Sequence, residues 1–376
     1  MERVDRDSRV LIVIGLVSLL ADFVYESFRS IMYILLAGLG LVNMCLVNGV
    51  GEAVLAIARF LSPAVLNLLG PAVTYILGYV LTGILIPCIV KPELSYVLYP
   101  AERFGKGVRG PARDLLISIV PKKPGYKFSI CEALDQVGAV AGPLLALLLI
   151  TRLGLLMTAL SILYLLCLIL SAHVYKIYRN VEKTLLVERR THRTQMLTRK
   201  FIMFLVLLSF STMFYMPLIM IQYVESFSTL RVETAGIVIF IIATIFTILF
   251  APLIGKVVDT TREYCILMMP MSIAITVLTL SLGGSYVSMI IAGLIYGFVM
   301  STLEIVPRAY VNYVVQDVKA RKDAYAWLNV SLGVGLLVSS ILIPFLYIYY
   351  RHIITILIVL CEAVAELLML CLILLQ

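Results

Sequence analysis

Apolar residues run along this chain in blocks of about twenty separated by short polar stretches. A helix of that length is what crosses about 30 Å of hydrocarbon, so each block predicts one membrane-spanning helix. Eleven blocks can be delimited, at 10–36, 43–66, 72–90, 128–150, 154–175, 201–224, 234–254, 264–283, 286–311, 324–348 and 353–375. A twelfth candidate, Leu94–Ile119, has helical length but holds Glu102, Arg103, Lys106, Arg109, Arg113 and Asp114. At roughly 2.5–3.5 kcal/mol per charge at a helix centre, hydropathy alone rejects it.

The loop charges point the other way. If Leu94–Ile119 crosses, alternate loops collect Arg3, Arg6, Arg9, Lys122, Lys123, Lys127, the cations between Lys176 and Lys200, Lys256, Arg262, Lys319, Arg321 and Lys322. The other side receives only Lys91, Arg152, Arg231 and Arg351, a bias of 19 cations to 4. Basic loops stay cytoplasmic, and removing one crossing would scramble that bias. The expectation is therefore an all-α polytopic protein of twelve spans with both termini cytoplasmic. The one long polar run, 176–200, is basic and divides the chain into a bundle at 1–175 and a bundle at 201–376. A cytoplasmic linker touching anionic headgroups accounts for its charge, and no nucleic-acid-reading element stands beside it.

Composition sharpens the picture. Of 376 residues, 62% are hydrophobic and 14% charged, against about 45–50% and about 25% in soluble domains. The net charge of +8 sits in the loops just described. Seven cysteines are scattered through apolar runs without CxxC spacing, which implies neither a disulfide framework nor a metal site. His173, His192 and His352 are far apart, so no enzyme constellation is expected, and no cofactor. Gly105-x-Gly107-x-x-Gly110 spells the dinucleotide fingerprint, but it lies in a charged helix and opens no βαβ unit. Asn329-Val330-Ser331 spells a glycosylation acceptor inside an apolar block. The N-terminus carries charges within its first apolar block and no short cleavable core, so it reads as a first span and not as a signal peptide.

Charges inside spans are the informative residues, because each needs a partner or water. Asp22, Glu26 and Arg29 fall at i, i+4 and i+7 on one face of the first span. They form either a polar path or a self-neutralising cluster that locks packing. Glu102, Lys106, Arg109 and Arg113 share a face of the fourth span; Glu102 and Arg103 are expected inside the protein, and Arg109, Arg113 and Asp114 at the cytoplasmic headgroups. Glu52 and Arg59 share a side of the second span. The fifth places Glu132, Asp135 and Gln136 before Gly138-x-x-x-Gly142-Pro143, small residues that admit a close neighbour followed by a bend. In the second half, Glu304 and Arg308 flank Pro307 at i, i+4, echoing the fourth span at the matching place, and such pairs point to a central binding site. Glu362 and Glu366 are two acids in the last apolar block.

These residues resemble the major facilitator superfamily of secondary transporters over essentially the whole chain. The run from Arg103 through Gly107 to Arg113 and Asp114 looks like its fourth-helix signature, R-x-x-x-G, in the extended form of a prokaryotic branch of uncharacterised drug or metabolite transporters. Leu134 to Pro143 is similar to that branch's fifth helix and to the G-x-x-x-G-P element of antiporters. Asp22-x-x-x-Glu26 also looks like the branch, though Arg29-Ser30 follows where Tyr-Pro is usual. The loop motif G-x-x-x-D-R-x-G-R is worn down to Pro63–Gly70 in its first copy, while the second keeps Gly255, Asp259 and Arg262.

The resemblance implies two six-helix bundles around a cavity, alternating access, and a role for Arg103 in proton coupling. Asp22, Glu26, Arg29, Glu102, Arg103, Glu132, Asp135, Glu304 and Arg308 are the expected cavity residues. Gly138, Gly142, Pro143, Gly255, Asp259 and Arg262 are the expected gating and packing residues. One proton falling through about 100 mV and one pH unit supplies roughly 3.7 kcal/mol, enough for about 500-fold accumulation of a neutral solute. The expected function is proton-coupled efflux of a small organic solute by a protein of the cell membrane, with an importer or exchanger of organic anions as the alternative. The expected partners are the solute, protons and the lipid bilayer, and a monomer is sufficient.

Overall fold

The computed structural model describes residues 2–37, 41–187, 232–269, 286–318, 320–335, 360, 363–365 and 367. The block at 201–224, the greater part of those at 264–283 and 353–375, the end of that at 324–348, the linker beyond Val187, and Glu362 and Glu366 all lie outside the described residues. What is described is helical: α1 (Glu2–Ala37), α2 (Leu41–Leu69), α3 (Pro71–Val80), α4 (Ser95–Ile119), α5 (Pro124–Leu149), α6 (Leu153–Val187), α7 (Val232–Thr261), α8 (Tyr286–Val314) and a further helix, α9, at 320–335. The first six correspond to the first six predicted spans. Helix α6 continues twelve residues past the expected boundary at 175, into what reads as linker by polarity alone.

Local chemistry sets the breaks. Gly70 takes φ 77, a conformation only glycine adopts without strain, and Pro71 at the first helical position restarts the chain as α3. After Val80, α3 tightens into a 3-10 stretch, Leu81–Ile89, that contains Pro87. Tyr164 Oη of α6 donates to the Val80 carbonyl at 2.6 Å where the two helix types join. Helix α7 ends with Arg262 at φ 54, left-handed backbone that terminates a helix, before a 3-10 turn, Arg262–Met268.

Seven of the described helices are long and apolar enough to cross a membrane, and α4 is not among them. Its 25 residues reach about 37 Å. It packs closely on α2 and α3, and its fingerprint-like glycines are what make that possible. A Cβ at Gly105 would stand 3.2 Å from the Gly78 carbonyl oxygen of α3, one at Gly107 2.9 Å from the Leu55 oxygen of α2, and one at Gly110 2.8 Å from Asn329 Oδ1 of α9. Three glycines thus meet three neighbours, and no nucleotide is needed to explain them.

The described residues form two compact units. One holds α1–α4, α5 from Leu134 onward, α6 and residues 315–330. The other holds residues 124–133 of α5, α7, α8 and the described residues from Ser331 onward. In the first, Val24, Tyr25, Phe28, Met32 and Val47 pack with Leu85, Ile89, Tyr99, Leu156 and Leu160 in an apolar core.

Candidate functional site

The first unit contains a ladder of charges between α1 and α4. Ser18, Asp22, Tyr25, Glu26 and Arg29 occupy one face of α1, and Arg103, Lys106, Arg109 and Arg113 answer from α4 in antiparallel order. From Ser18 to Arg29 the ladder covers about 16 Å of helix rise, half the hydrocarbon thickness.

At one end Arg113 Nη1 donates to Ser18 Oγ at 3.2 Å and lies 3.4 Å from Asp135 Oδ1 of α5. Ser18 Oγ in turn is 3.1 Å from Tyr79 Oη. Arg109 lies over the Tyr79 ring at 4.4 Å, donates to Thr82 Oγ1 at 2.6 Å and to the Gly78 carbonyl at 3.1 Å, and stands 3.9 Å from Asp22. Lys106 Nζ reaches the same Asp22 oxygen at 3.7 Å. Arg103 is buried: it pairs with fully buried Glu102 at 2.7 Å and with Glu52 of α2 at 3.8 Å. Its guanidinium sits 3.7 Å from the Tyr25 ring centroid and 5.3 Å from that of Tyr99. A desolvated cation against such faces gains about 2 kcal/mol. Arg29 ends the ladder, 3.6 Å from Glu26.

Arg109, Arg113 and Asp114, expected at the cytoplasmic end of the fourth span, are held by protein partners. Arg109 and Asp114 are buried, and Arg113 is engaged with α1 and α5. Asp114 Oδ2 accepts a hydrogen bond from Asn329 Nδ2 of α9 at 3.2 Å. Snorkelling needs a free path to water, and here each head finds a protein partner first. The ladder also recruits residues that span-by-span reading leaves out. Spacing along α2 makes Glu52 only the companion of Arg59, yet it faces Arg103. Tyr25 and Tyr99 had a readable signal: Tyr25 shares the acidic face of α1, and Tyr99 precedes Arg103 by one turn.

Helix α5 carries the packing residues. A Cβ at Gly142 would stand 2.5 Å from the Phe23 carbonyl oxygen and 2.9 Å from the Ser27 nitrogen of α1; Ser27 Oγ donates to the Gly142 carbonyl at 2.8 Å. At Gly138 a Cβ would stand 3.0 Å from the Leu19 carbonyl carbon. These two glycines thus lie where α5 meets the backbone of α1, and Pro143 follows directly inside the helix.

In the second unit, Asp259 of α7 caps the N-terminus of α5. Lys123, the residue before α5, makes no side-chain cap, and Pro124 has no N–H to satisfy. Asp259 Oδ1 accepts from Gly125 N–H at 2.7 Å and Oδ2 from Tyr126 N–H at 2.9 Å, with Tyr313 Oη of α8 adding a third donor at 3.0 Å. Gly255 makes room: a Cβ there would stand 2.7 Å from the Gly125 carbonyl oxygen. Arg262 contributes the backbone turn that ends α7. Glu132 is buried in this unit, and Glu304 and Arg308 of α8 pair with each other one turn apart. Among the described residues no group of His, Cys, Asp and Glu is placed to hold a metal ion.

Comparison with known proteins decides the family. The sequence profile of the Major Facilitator Superfamily matches residues 104–303, more than half of the chain. The chain belongs to this superfamily. Its members are transporters and not enzymes, and this one is a multi-pass membrane protein. The fold agrees with solved structures of the family. It is similar to the E. coli fucose:proton symporter FucP, with TM-score 0.67 and 11% identity over 96% of this chain and 97% of that one. It is likewise similar to the human organic anion transporter MFSD10, with TM-score 0.68 and 12% identity over 96% and 98%. Uncharacterised proteins of Mycobacterium bovis and Mycobacterium tuberculosis are 41% identical over 144 residues. That match spans 36% of this chain and about a third of those relatives' length, 35%.

Proposed function

We propose that the protein is a proton-coupled secondary transporter that moves a small organic solute by alternating access and exchanges it against protons. One observation carries the reading: in and around the α1–α4 ladder, Asp22, Glu26, Glu52 and Asp135 meet their cations at 3.4–3.9 Å, while Glu102 and Arg103 close at 2.7 Å. Contacts of that length sit at or beyond the end of the hydrogen-bonding range, so a solute that brings its own charge and donors can take the place of either partner. A carboxylate that loses its cation in a low-dielectric site can hold a proton in its place. Coupling then follows from competition between solute and proton for the same ladder. The fucose:proton symporter, alike in fold, is a precedent for a proton as the coupling ion.

Alternating access requires contacts that form in one state and break in another. The cap that Asp259 places on α5 fits that requirement, since α7 comes from the second half of the chain and α5 from the first. Residues 1–175 and 201–376 are read as the moving halves and 176–200 as their linker, with both termini cytoplasmic, the cell membrane as location, and a monomer as the working unit. The resemblance of Gly138-x-x-x-Gly142-Pro143 to the element of antiporters favours exchange as the mode. The test uses reconstituted protein in sealed vesicles with an imposed pH gradient. Accumulation or release of a solute should follow the gradient and collapse with a protonophore; solute movement indifferent to both would sink the reading.

A further inference from the structure

The ladder contains three cations around one ring, and they are not equivalent. Arg103, Lys106 and Arg29 lie 3.7, 4.4 and 6.0 Å from the Tyr25 centroid. Arg103 is enclosed: it is buried and paired with Glu102, with Glu52 as a second partner, although its Nη2, like Glu102 Oε1, is left without a hydrogen bond. Arg29 and Lys106 are the reverse. Their side chains are 37% and 28% exposed, whereas Glu26 and Asp22, their partners, are 10% and 11% exposed. Each makes one long contact, at 3.6 and 3.7 Å, and the Asp22 oxygen that faces Lys106 is shared with Arg109. A guanidinium has five N–H donors and an ammonium three, so most of that capacity is uncommitted among the described residues. The hydroxyls of Tyr25 and Tyr99 are buried beside them without a hydrogen-bond partner. Such orphans carry a cost that an arriving acceptor removes. Helix α4 packs closely on α2 and α3, and it is long side chains, Lys106 among them, that reach across to α1.

We propose that Arg29 and Lys106 bracket Tyr25 as an anion-binding pair, and that the solute is a small organic anion carrying a carboxylate. This rests on the transport reading above and adds the charge class and the residues. A ligand group entering here meets cationic surface first. Its oxygens accept from the uncommitted donors and the tyrosyl hydroxyls, as charge-assisted hydrogen bonds of the strong kind. An organic cation would meet two exposed like charges first, and the carboxylates behind them, Glu26 and Asp22, are the less exposed member of each pair. Arg103 then holds the ladder together and does not itself take the ligand, and Arg308 of α8 is already closed on Glu304.

The experiment is thermal unfolding of the purified full chain with millimolar benzoate or succinate, against benzylammonium and butane-1,4-diammonium as size-matched cations. The expected result is stabilisation by at least one anion and by neither cation. Arg29→Gln and Lys106→Gln should each weaken the apparent affinity tenfold or more, while Arg152→Gln, an exposed cation in a loop, leaves it unchanged. Unliganded melting temperatures show which variants are folded, and either single variant suffices if the other fails. Stabilisation by a diammonium or ammonium ligand, no response to either anion, or an anion response that survives both substitutions overturns the proposal. Gradient-driven flux in vesicles separates the two claims: flux with cation binding leaves the transporter reading intact and removes the anion class, whereas absence of any driven flux removes the transporter reading.

Discussion

Replacing Asp259 by asparagine removes one charge and turns one of two acceptor oxygens into a donor. In the structure those oxygens take the N–H groups of Gly125 and Tyr126 at 2.7 and 2.9 Å, donors that the first turn of α5 cannot satisfy internally. A hydrogen bond to a charged group contributes about 1.5–3 kcal/mol, and a carboxylate at a helix N-terminus about 0.3–1 kcal/mol. Asparagine keeps one acceptor, and the site is only partly buried. The net loss should therefore be about 1–2 kcal/mol, a factor of roughly 5–30 in the opening equilibrium. Hydrogen–deuterium exchange reads it directly, because the amides that lose their acceptor are the amides that exchange. A peptide covering residues 122–128 should exchange roughly 5–30 times faster in Asp259→Asn than in the wild type, while a peptide from α1 is unchanged. Equal rates within twofold at 122–128 would mean that Asp259 does not hold α5, and the gating role given to it would fall.

Other substitutions test other parts of the ladder and its supports. Arg103→Ala leaves Glu102 buried and uncompensated and should cost about 3–5 kcal/mol, whereas the pair Glu102→Gln with Arg103→Met should recover most of that; melting temperatures of the three proteins decide it. Gly142→Ala puts a methyl against the backbone of Phe23 and Ser27, and should destabilise by about 1–3 kcal/mol in a denaturation series, because helix backbone cannot yield as a side chain would. Asp114→Ala and Asn329→Ala should be non-additive, with a coupling of about 0.5–3 kcal/mol in a double-mutant cycle, since the two side chains are hydrogen-bonded. A coupling near zero would show that contact to be incidental.

Much of this architecture is legible in the sequence because membrane crossing imposes a length and a polarity on every helix. Helices α1–α3, α5 and α6 follow from apolar blocks alone. Helix α4 does not; loop charges place it, and its spacing of Glu102, Lys106, Arg109 and Arg113 assigns the shared face. The burial of Arg109 and Asp114 is not legible, because hydropathy weighs a charge by its position along one helix. Their burial depends on Thr82, Gly78 and Asn329, partners on other elements. The same holds for Asp259, whose acceptors meet amides more than 130 residues earlier in the chain. The worn first copy of the loop motif shows the converse. It lacks an acid, yet Asn67 Oδ1 accepts from Lys322 Nζ at 2.5 Å, a contact that pattern comparison with charged motifs passes over.

The most direct test of proton coupling through the α1–α4 ladder is to follow lumenal pH with a trapped dye in vesicles that contain the protein. The account predicts that a transported solute moves protons in the wild type, and that Asp22→Asn, folded by its melting temperature, uncouples the two. Solute flux without any proton movement in the wild type, or full coupling in Asp22→Asn, would contradict it.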